Sequence, residues 1–375
     1  MIPLAKPLLG EREEQLVLET LRSRHLALGP RLPEFERALS ARLGRPTSAV
    51  SSGTAGLHLA VRAAGVQAGD EVITTPFSFV ASANCVLYEN ATPVFCDIDA
   101  RTLNIDPAAA QAALTERTTG LLPVHIFGYP AAMPAFERLA AERGLWIVED
   151  ACEALGATHG DGHPVGARGN LAVFGFYPNK QLTTGEGGAV LCPDEASKER
   201  IDSERNQGRA PDMGWLDHDR LGYNYRLGDL SCALGIAQLE RLDELLAARA
   251  RVAALYSEAL TGVDDLGLPC PDDDGDRRSW FVYVVQLPRG IERDEVVVAM
   301  RKRGVDTKPY LPAIHLMSFY RERLGHREGD FPVCEEVARR SLALPFFPEL
   351  SDGQVEQVVE ALRGVIAEAA APARS

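Results

Sequence analysis

Short apolar runs with the composition of β-strands alternate with helical patterns along roughly the first 250 residues, and this alternation strongly constrains the fold. Helix-like stretches such as 55–64, 78–88 and 133–143 separate most of the runs. The pattern is typical of an α/β fold in which helices cover both faces of a mostly parallel sheet. Ligands of such sheets bind outside the carboxyl ends of the strands, so functional residues are expected in the loops after the runs. The runs comprise residues 49–51, 71–74, 92–96, 120–124, 145–149, 171–176 and 189–192.

A second pattern begins at Asp229, from which apolar residues recur at near-helical spacing to about Leu260. It predicts one long helix that bridges to a smaller unit. The remaining pattern predicts a strand over 280–287 and helices over 293–303 and 351–369. We therefore expect a large domain of residues 1–250 and a smaller C-terminal α+β domain of residues 251–375. The acidic loop 269–278 is interpreted as a solvated turn, with a bound cation as the less favoured alternative.

Composition argues against several classes of function. The net charge of −14 disfavours a nucleic-acid partner, because binding to a phosphate backbone requires a basic face. No apolar stretch of about 18 residues occurs and the start has no signal-peptide pattern, so we expect a cytoplasmic protein without membrane contact. Seven cysteines without a close CxxC pair indicate neither a disulfide framework nor a metal site. An anionic small ligand in a local pocket remains compatible with this composition.

Two strand ends carry groups that suit a flat, phosphorylated ligand. Ser52-Gly53-Thr54 lies between a strand and a helix, where free backbone N–H groups form an anion site. Taken alone, an ordinary helix cap is the more common meaning of such residues. Phe77 and Phe79 follow the run 71–74. Either could be a core residue, and either could stack on a planar cofactor.

Two further strand ends supply a carboxylate and an amine. Glu149 and Asp150 end an apolar run, and a buried carboxylate needs a partner such as a protonated pyridine nitrogen, or caps a helix. Lys180 lies between aromatic residues and a glycine turn, where a desolvated amine can form a Schiff base. A surface lysine is the alternative. In this chain order, the four groups together indicate pyridoxal phosphate.

With these residues in view, the chain resembles the nucleotide-sugar aminotransferases of the DegT/StrS group, within the fold-type I pyridoxal phosphate superfamily. The resemblance covers essentially the whole length, and its most specific stretches are 176–188 and 222–227. It implies a large domain with a mostly parallel sheet and a smaller C-terminal α+β domain. It also implies pyridoxal 5'-phosphate as the cofactor.

Transferred residue by residue, the resemblance assigns roles around the cofactor. It implies that Lys180 forms the Schiff base and carries the proton, and that Asp150 pairs with the ring nitrogen. Phe79 would stack on the ring. The backbone of Gly53 and Thr54 would hold the phosphate.

The resemblance also implies roles at the subunit boundary and on the substrate side. Asn224 would reach the phosphate in the neighbouring subunit, which implies a homodimer with shared active sites. His315 and Tyr310 match positions on the substrate side, although a structural histidine stays open for His315. Arg226 is among the arginines that could meet a substrate diphosphate.

Two residues depart from the pattern of the family. Gly175 stands where many members have a serine whose hydroxyl helps to hold the phosphate. Glu153 stands where a glutamine or histidine commonly contacts the phenolic oxygen, as in some relatives that make 4-amino sugars. Because a carboxylate beside a phenolate would repel it, we expect Glu153 to be protonated or to turn elsewhere.

The implied activity is transfer of an amino group from L-glutamate to a 4-keto or 3-keto nucleotide-sugar, for amino-sugar and polysaccharide biosynthesis. A pyridoxal-dependent sugar dehydratase is one alternative, ranked lower because those relatives replace the lysine with histidine. Amination of a keto-cyclitol is another. A non-catalytic, DNA-binding regulator is disfavoured by the acidic balance.

Overall fold

The large sheet contains seven strands in a computed structural model that describes residues 1–210 and 217–370. The strand order is β1-β7-β6-β5-β4-β2-β3. Only β7 runs antiparallel to its neighbours; the other pairs are parallel. Each predicted run overlaps one strand, so the α/β class and the mostly parallel sheet are confirmed. The strands are β1 Thr47–Val50, β2 Glu71–Thr74, β3 Thr92–Phe95, β4 Thr118–Leu122, β5 Trp146–Asp150, β6 Leu171–Gly175 and β7 Gly188–Leu191.

Helices cover both faces of this sheet and explain why four of its seven strands, β1, β2, β6 and β7, are buried along their full length. Residues of the central strands belong to two large apolar clusters, one on each face. The helices of this part are α1 Glu11–Ser23, α2 Arg31–Leu43, α3 Gly53–Ala64, α4 Ala81–Leu87, α5 Pro107–Ala112, α6 Met133–Arg143, α7 Glu195–Glu204, α8 Asp229–Glu240 and α9 Leu242–Leu260, with a 3₁₀ turn at Ile126–Gly128.

A smaller antiparallel sheet, in the order β8-β10-β9, forms the C-terminal part. Its apolar cluster includes the second half of α9, whereas Leu242 at the start of α9 belongs to a cluster of the large sheet. The predicted boundary at residue 250 therefore falls inside a helix that joins both cores, and the division stays a prediction. The elements are β8 Tyr283–Gln286, α10 Arg293–Lys302, β9 Lys308–Pro309, α11 Ser318–Leu324, α12 Pro332–Arg340, β10 Ser341–Leu344 and α13 Asp352–Ala370, with a 3₁₀ turn at Ile314–Leu316.

The prediction of a single long helix from Asp229 to Leu260 is wrong, because the structure divides this segment into α8 and α9. Arg241 stands between them with φ −117° and ψ 18°, outside the helical region. The break lets α8 pack against α1 and α2 while α9 packs against α13. One non-helical residue hardly disturbs the apolar spacing, so periodicity alone does not reveal the break.

Side chains of the acidic loop 269–278 contact residues of the part of the molecule that contains the large sheet. Asp273 accepts a hydrogen bond from the Tyr129 hydroxyl at 2.7 Å and pairs with Arg101. Asp276 accepts a bond from the Gly160 backbone at 2.8 Å. Within residues 1–210 and 217–370, no group of three or more His, Cys, Asp or Glu side chains is arranged to hold a metal ion. In the same ranges, no helix is both long and apolar enough to cross a bilayer.

A buried carboxylate at the start of α8 anchors the chain before α2. Asp229 is fully buried and accepts hydrogen bonds from the backbone N–H groups of Gly29 and Arg31, both at 3.0 Å. The approach is close: a Cβ on Gly29 would lie 2.5 Å from the Asp229 carboxylate. One side chain therefore satisfies two part-buried backbone donors.

Replacing Asp229 by alanine should lower the free energy of unfolding by about 2 to 4 kcal/mol, since two part-buried donors lose their acceptor. Urea unfolding followed by circular dichroism measures the change. Asp243→Ala is the control: this exposed aspartate pairs with Arg42 at the surface, and its loss should cost less than about 1 kcal/mol. Equal effects of the two substitutions would contradict the anchoring role.

Candidate active site

A cavity of about 480 Å³ opens at the carboxyl ends of the parallel strands. Its walls come from the ends of β5 and β6, the start of α3 and the turn after β6, and from two segments near the small sheet around Phe281 and Tyr310. The volume lies within the usual range for small-molecule sites. Seven of the ten predicted site residues line this cavity: Lys180, Asp150, Phe79, Gly53, Thr54, Glu153 and Tyr310.

Lys180 lies in a tight turn just after β6. Its backbone N–H donates to the Tyr177 carbonyl at 2.9 Å, and its side chain is only 14% exposed. Nζ is 3.4 Å from Glu153 Oε1 and 3.8 Å from the centre of the Phe281 ring. The amine is therefore held inside the cavity between a carboxylate and an aromatic face.

Asp150 ends β5 with its carboxylate facing the cavity. Oδ2 accepts a 2.6 Å hydrogen bond from the Ser82 hydroxyl, and Oδ1 accepts one from the Cys152 backbone at 3.1 Å. Glu149, one residue earlier, points to the other face of the sheet and lies 3.1 Å from His125 Nε2. Alternation along the strand thus selects Asp150 from the acidic pair as the residue at the site.

Glu153 lies beneath Lys180 and turns toward the backbone. Oε2 accepts a 2.9 Å hydrogen bond from the Phe127 N–H, while Oε1 faces the amine. Burial raises the pKa of Glu153, and the nearby charge of Lys180 opposes the rise. The carboxylate therefore favours its protonated form more than an exposed glutamate does.

The start of α3 offers free backbone donors to the cavity. Ser52 caps the helix by accepting from the Ala55 N–H at 3.1 Å, and the next residues, Gly53 and Thr54, open the first turn. The first N–H groups of any helix have no acceptor within it, and they favour an anion. A Cβ on Gly53 would lie 2.9 Å from Cys152 Sγ, so a glycine here lets the start of α3 pack closely against the segment that follows β5.

Aromatic residues border the mouth of the cavity. Phe79 is 61% exposed, and Tyr177 is also exposed. Tyr310 lies deeper, and burial raises the pKa of its hydroxyl. An exposed aromatic ring at a cavity is available to stack on a flat ligand.

Three of the predicted residues do not line the cavity of this single chain. Asn224 is exposed on the surface. Arg226 donates to Asn206 Oδ1 and Gln207 Oε1, both at 2.9 Å. His315 is fully buried, with Nε2 3.1 Å from Glu335 Oε1, so in this chain it makes structural contacts.

Several cavity residues were not predicted from the sequence. Cys152 and Asn179 flank predicted residues, so proximity in the chain could have indicated them. Asn179 Oδ1 is buried and has no hydrogen-bond partner among the described residues, which makes it a polar atom available to a ligand. Phe281 comes from the segment before β8, about 100 positions after Lys180, and no local pattern marks it.

Comparison with known proteins identifies the family. The sequence model of the DegT/DnrJ/EryC1/StrS aminotransferase family matches residues 7–363. The spore coat polysaccharide biosynthesis protein SpsC of Bacillus subtilis (strain 168) is 37% identical over 379 residues, which cover 97% of each chain. The GDP-perosamine synthase of Caulobacter vibrioides is 34% identical over 369 residues, covering 97% of this chain and 98% of that enzyme.

A solved structure extends the similarity to three dimensions. S. venezuelae DesV, in complex with a ketimine intermediate, has a TM-score of 0.89 and 35% identity over 94% of each chain. The fold is accordingly that of the pyridoxal phosphate-dependent aminotransferases. The protein therefore belongs to the DegT/DnrJ/EryC1/StrS aminotransferase family.

Proposed function

We propose that the protein is a pyridoxal phosphate-dependent aminotransferase that moves the amino group of L-glutamate to the keto group of a nucleotide-linked sugar. The observation that carries the proposal is the enclosed Lys180 amine in one cavity with the Asp150 carboxylate and the start of α3. Membership of a sugar aminotransferase family and similarity to a GDP-perosamine synthase support the choice of acceptor.

The cavity residues fit the cofactor group by group. The free N–H groups at Gly53 and Thr54 suit the phosphate. Asp150, already fixed by Ser82, can accept a hydrogen bond from a protonated ring nitrogen. Phe79 supplies an aromatic face at the mouth.

When bound, pyridoxal phosphate supplies an electron sink for the bonds at the α carbon of the amino donor. Lys180 would hold the cofactor through its aldehyde group, and its Nζ would be the base that accepts a proton from the α carbon. Phe281 and Tyr310 enclose the amine and keep water from it. Asp150, held by the Ser82 hydroxyl and the Cys152 backbone N–H, would bind the ring nitrogen of the cofactor.

The charge of the cavity supports a second copy of the chain as part of the site. Among the described residues, its lining contains three carboxylates, Asp150, Glu153 and Glu186, and one cation, Lys180. A phosphate, a dicarboxylic amino acid and a nucleotide diphosphate are all anions, so further donors are needed. Exposed Asn224 is the residue we assign to the neighbouring cofactor phosphate, with Arg226 beside it for the sugar nucleotide.

In the proposed homodimer we expect the second copy to cover Leu28, Tyr88 and Leu221, which are each at least half exposed in one chain. We assign His315 a structural role through Glu335, and Tyr310 the substrate side of the cavity.

Lys180→Ala should lower turnover by at least about a thousandfold, because both the covalent anchor and the proton carrier are lost. The assay is release of 2-oxoglutarate from glutamate across a panel of keto nucleotide-sugars, with product mass. Lys198→Ala is the control, since Lys198 pairs with Asp202 and Glu36 outside the cavity. Turnover retained in Lys180→Ala would reject the proposal.

Glu153→Gln should stabilise the cofactor-free protein at neutral pH, because burial raises the pKa of Glu153 and makes its ionised form costly. For a raised carboxyl pKa, the folded state is favoured at low pH and this contribution is lost as pH rises through the folded pKa. The melting temperature of the variant should therefore exceed that of the wild type increasingly from about pH 4.5 upward. Equal melting curves across pH 4 to 8 would contradict the role of burial.

Mixing two inactive variants tests whether the site is shared. Lys180→Ala and Asn224→Ala subunits, denatured and refolded together, should recover about a quarter of wild-type turnover. Half of the dimers are then mixed, and each mixed dimer has one site without either defect. A mixture as inactive as its parents would exclude Asn224 from the neighbouring site.

A further inference from the structure

Arg249, on α9, makes an unusual set of contacts beneath the active site. It is buried, and Nη2 donates to the main-chain carbonyls of Lys180 at 2.7 Å and Asn179 at 3.1 Å. Nη1 donates to the carbonyl of Phe281 at 3.1 Å. The guanidinium of Arg249 therefore binds the main-chain carbonyl of Lys180 and that of Phe281, whose ring contacts the Lys180 amine.

Among the residues that the structure describes, the guanidinium has no acidic partner, which sets it apart from Arg205, another buried arginine. Arg205 pairs with both Glu36 and Asp202. Burial alone lowers the pKa of Arg249 to about 10, and Nε has no hydrogen-bond partner in residues 1–210 and 217–370. A buried charge without a counter-ion is costly, and the hydrogen bonds to three carbonyl groups are the contacts that offset this cost. These hydrogen bonds therefore account for an arginine here.

We propose that Arg249 is a positioning residue that fixes Lys180 and Phe281 relative to each other through their carbonyl groups. The proposal rests on the function proposed above for Lys180. The amine has a defined place, 3.8 Å from the Phe281 ring and 3.4 Å from Glu153, only if the two backbones keep their separation. The three carbonyl dipoles point at one cation, which holds both backbones together.

Arg249 lies on the part of α9 that connects the core of the large sheet with the core of the small sheet. Leu242, two turns earlier, packs in the core of the large sheet, and Val252 packs in the core of the small sheet. Gln181, next to Lys180, makes a second link between the lysine turn and the segment before β8. Its uncharged Nε2 donates to the Glu153 carbonyl at 2.5 Å and to Ser279 Oγ at 3.0 Å. Because this link remains, loss of Arg249 should displace the lysine turn without separating the two parts.

The experiment compares Arg249→Met with Tyr256→Phe. Tyr256 is on the same helix, is equally buried and donates to the Pro345 carbonyl at 2.8 Å, away from the lysine turn. For each cofactor-free protein we would measure three quantities. They are the melting temperature, the affinity for pyridoxamine phosphate, which needs no covalent bond, and the rate at which pyridoxal phosphate is captured at Lys180. Borohydride trapping and peptide mass spectrometry locate the captured group.

In Arg249→Met, the capture rate should fall about 10- to 100-fold, because the amine is displaced from its reacting position. The affinity for pyridoxamine phosphate should change by less than about threefold, and Tyr256→Phe should capture at the wild-type rate. Arg249→Lys, which keeps the charge but lacks the fork that binds several carbonyls, should fall between wild type and Arg249→Met. It also provides the test if the methionine variant does not fold.

Two results would overturn the positioning role. One is a capture rate in Arg249→Met and Arg249→Lys that matches Tyr256→Phe. The other is an equal loss of capture and of pyridoxamine phosphate affinity, which would indicate general damage to the cavity. Failure of the wild type to capture pyridoxal phosphate at Lys180 would instead reject the proposed function, so the two failures are distinguishable.

Discussion

The parallel pairing of β5 with β6 sets the geometry of the active site. Val148 to Asp150 pair with Leu171 to Val173, so the carboxylate that ends β5 and the turn that follows β6 arrive at the same edge of the sheet. Ser82, from α4, then orients the carboxylate through a 2.6 Å hydrogen bond. The start of α3 reaches the same edge because β1, which precedes it, runs in the same direction as β6, with the antiparallel β7 between them. Groups far apart in the chain thus converge without any long loop, which is the general property of such sheets that makes them good scaffolds for catalysis.

Most of the fold can be predicted from the sequence because the strands of the large sheet are buried on both faces. Such strands appear as short, continuous apolar runs, and the helices between them show their own period. The break at Arg241 could not be predicted in this way, since a single non-helical residue leaves the apolar spacing almost intact. Its cause is tertiary: α8 and α9 pack on different partners, and packing decides the direction of a helix more than its local sequence does.

The candidate site likewise contains residues that can be predicted from the sequence and residues that cannot. Residues at strand ends, such as Asp150 and Lys180, are predictable because their chemistry conflicts with their apolar surroundings. Phe281 and Arg249 carry no such signal. Their importance lies in what they contact, and those contacts join segments from different parts of the chain. His315 shows the reverse case: its residue type suggests a functional group, whereas its burial beside Glu335 indicates a structural one. Asn224 is exposed, and its expected contact lies in another subunit, so no feature of its own chain marks it.

The contact between Gly53 and Cys152 also has a consequence for how this site can change. A Cβ on Gly53 would meet the thiol at 2.9 Å, and a Cβ on Gly175 would meet the Cys152 side chain at 3.3 Å. At Gly53 the thiol itself occupies the space that a larger residue would need, whereas at Gly175 the nearest atom is the Cys152 Cβ. Positions 53 and 152 are consequently coupled: a larger residue at position 53 is tolerated more readily once residue 152 has lost its thiol. Laboratory evolution of the anion-binding end of this enzyme should therefore randomise these two codons jointly.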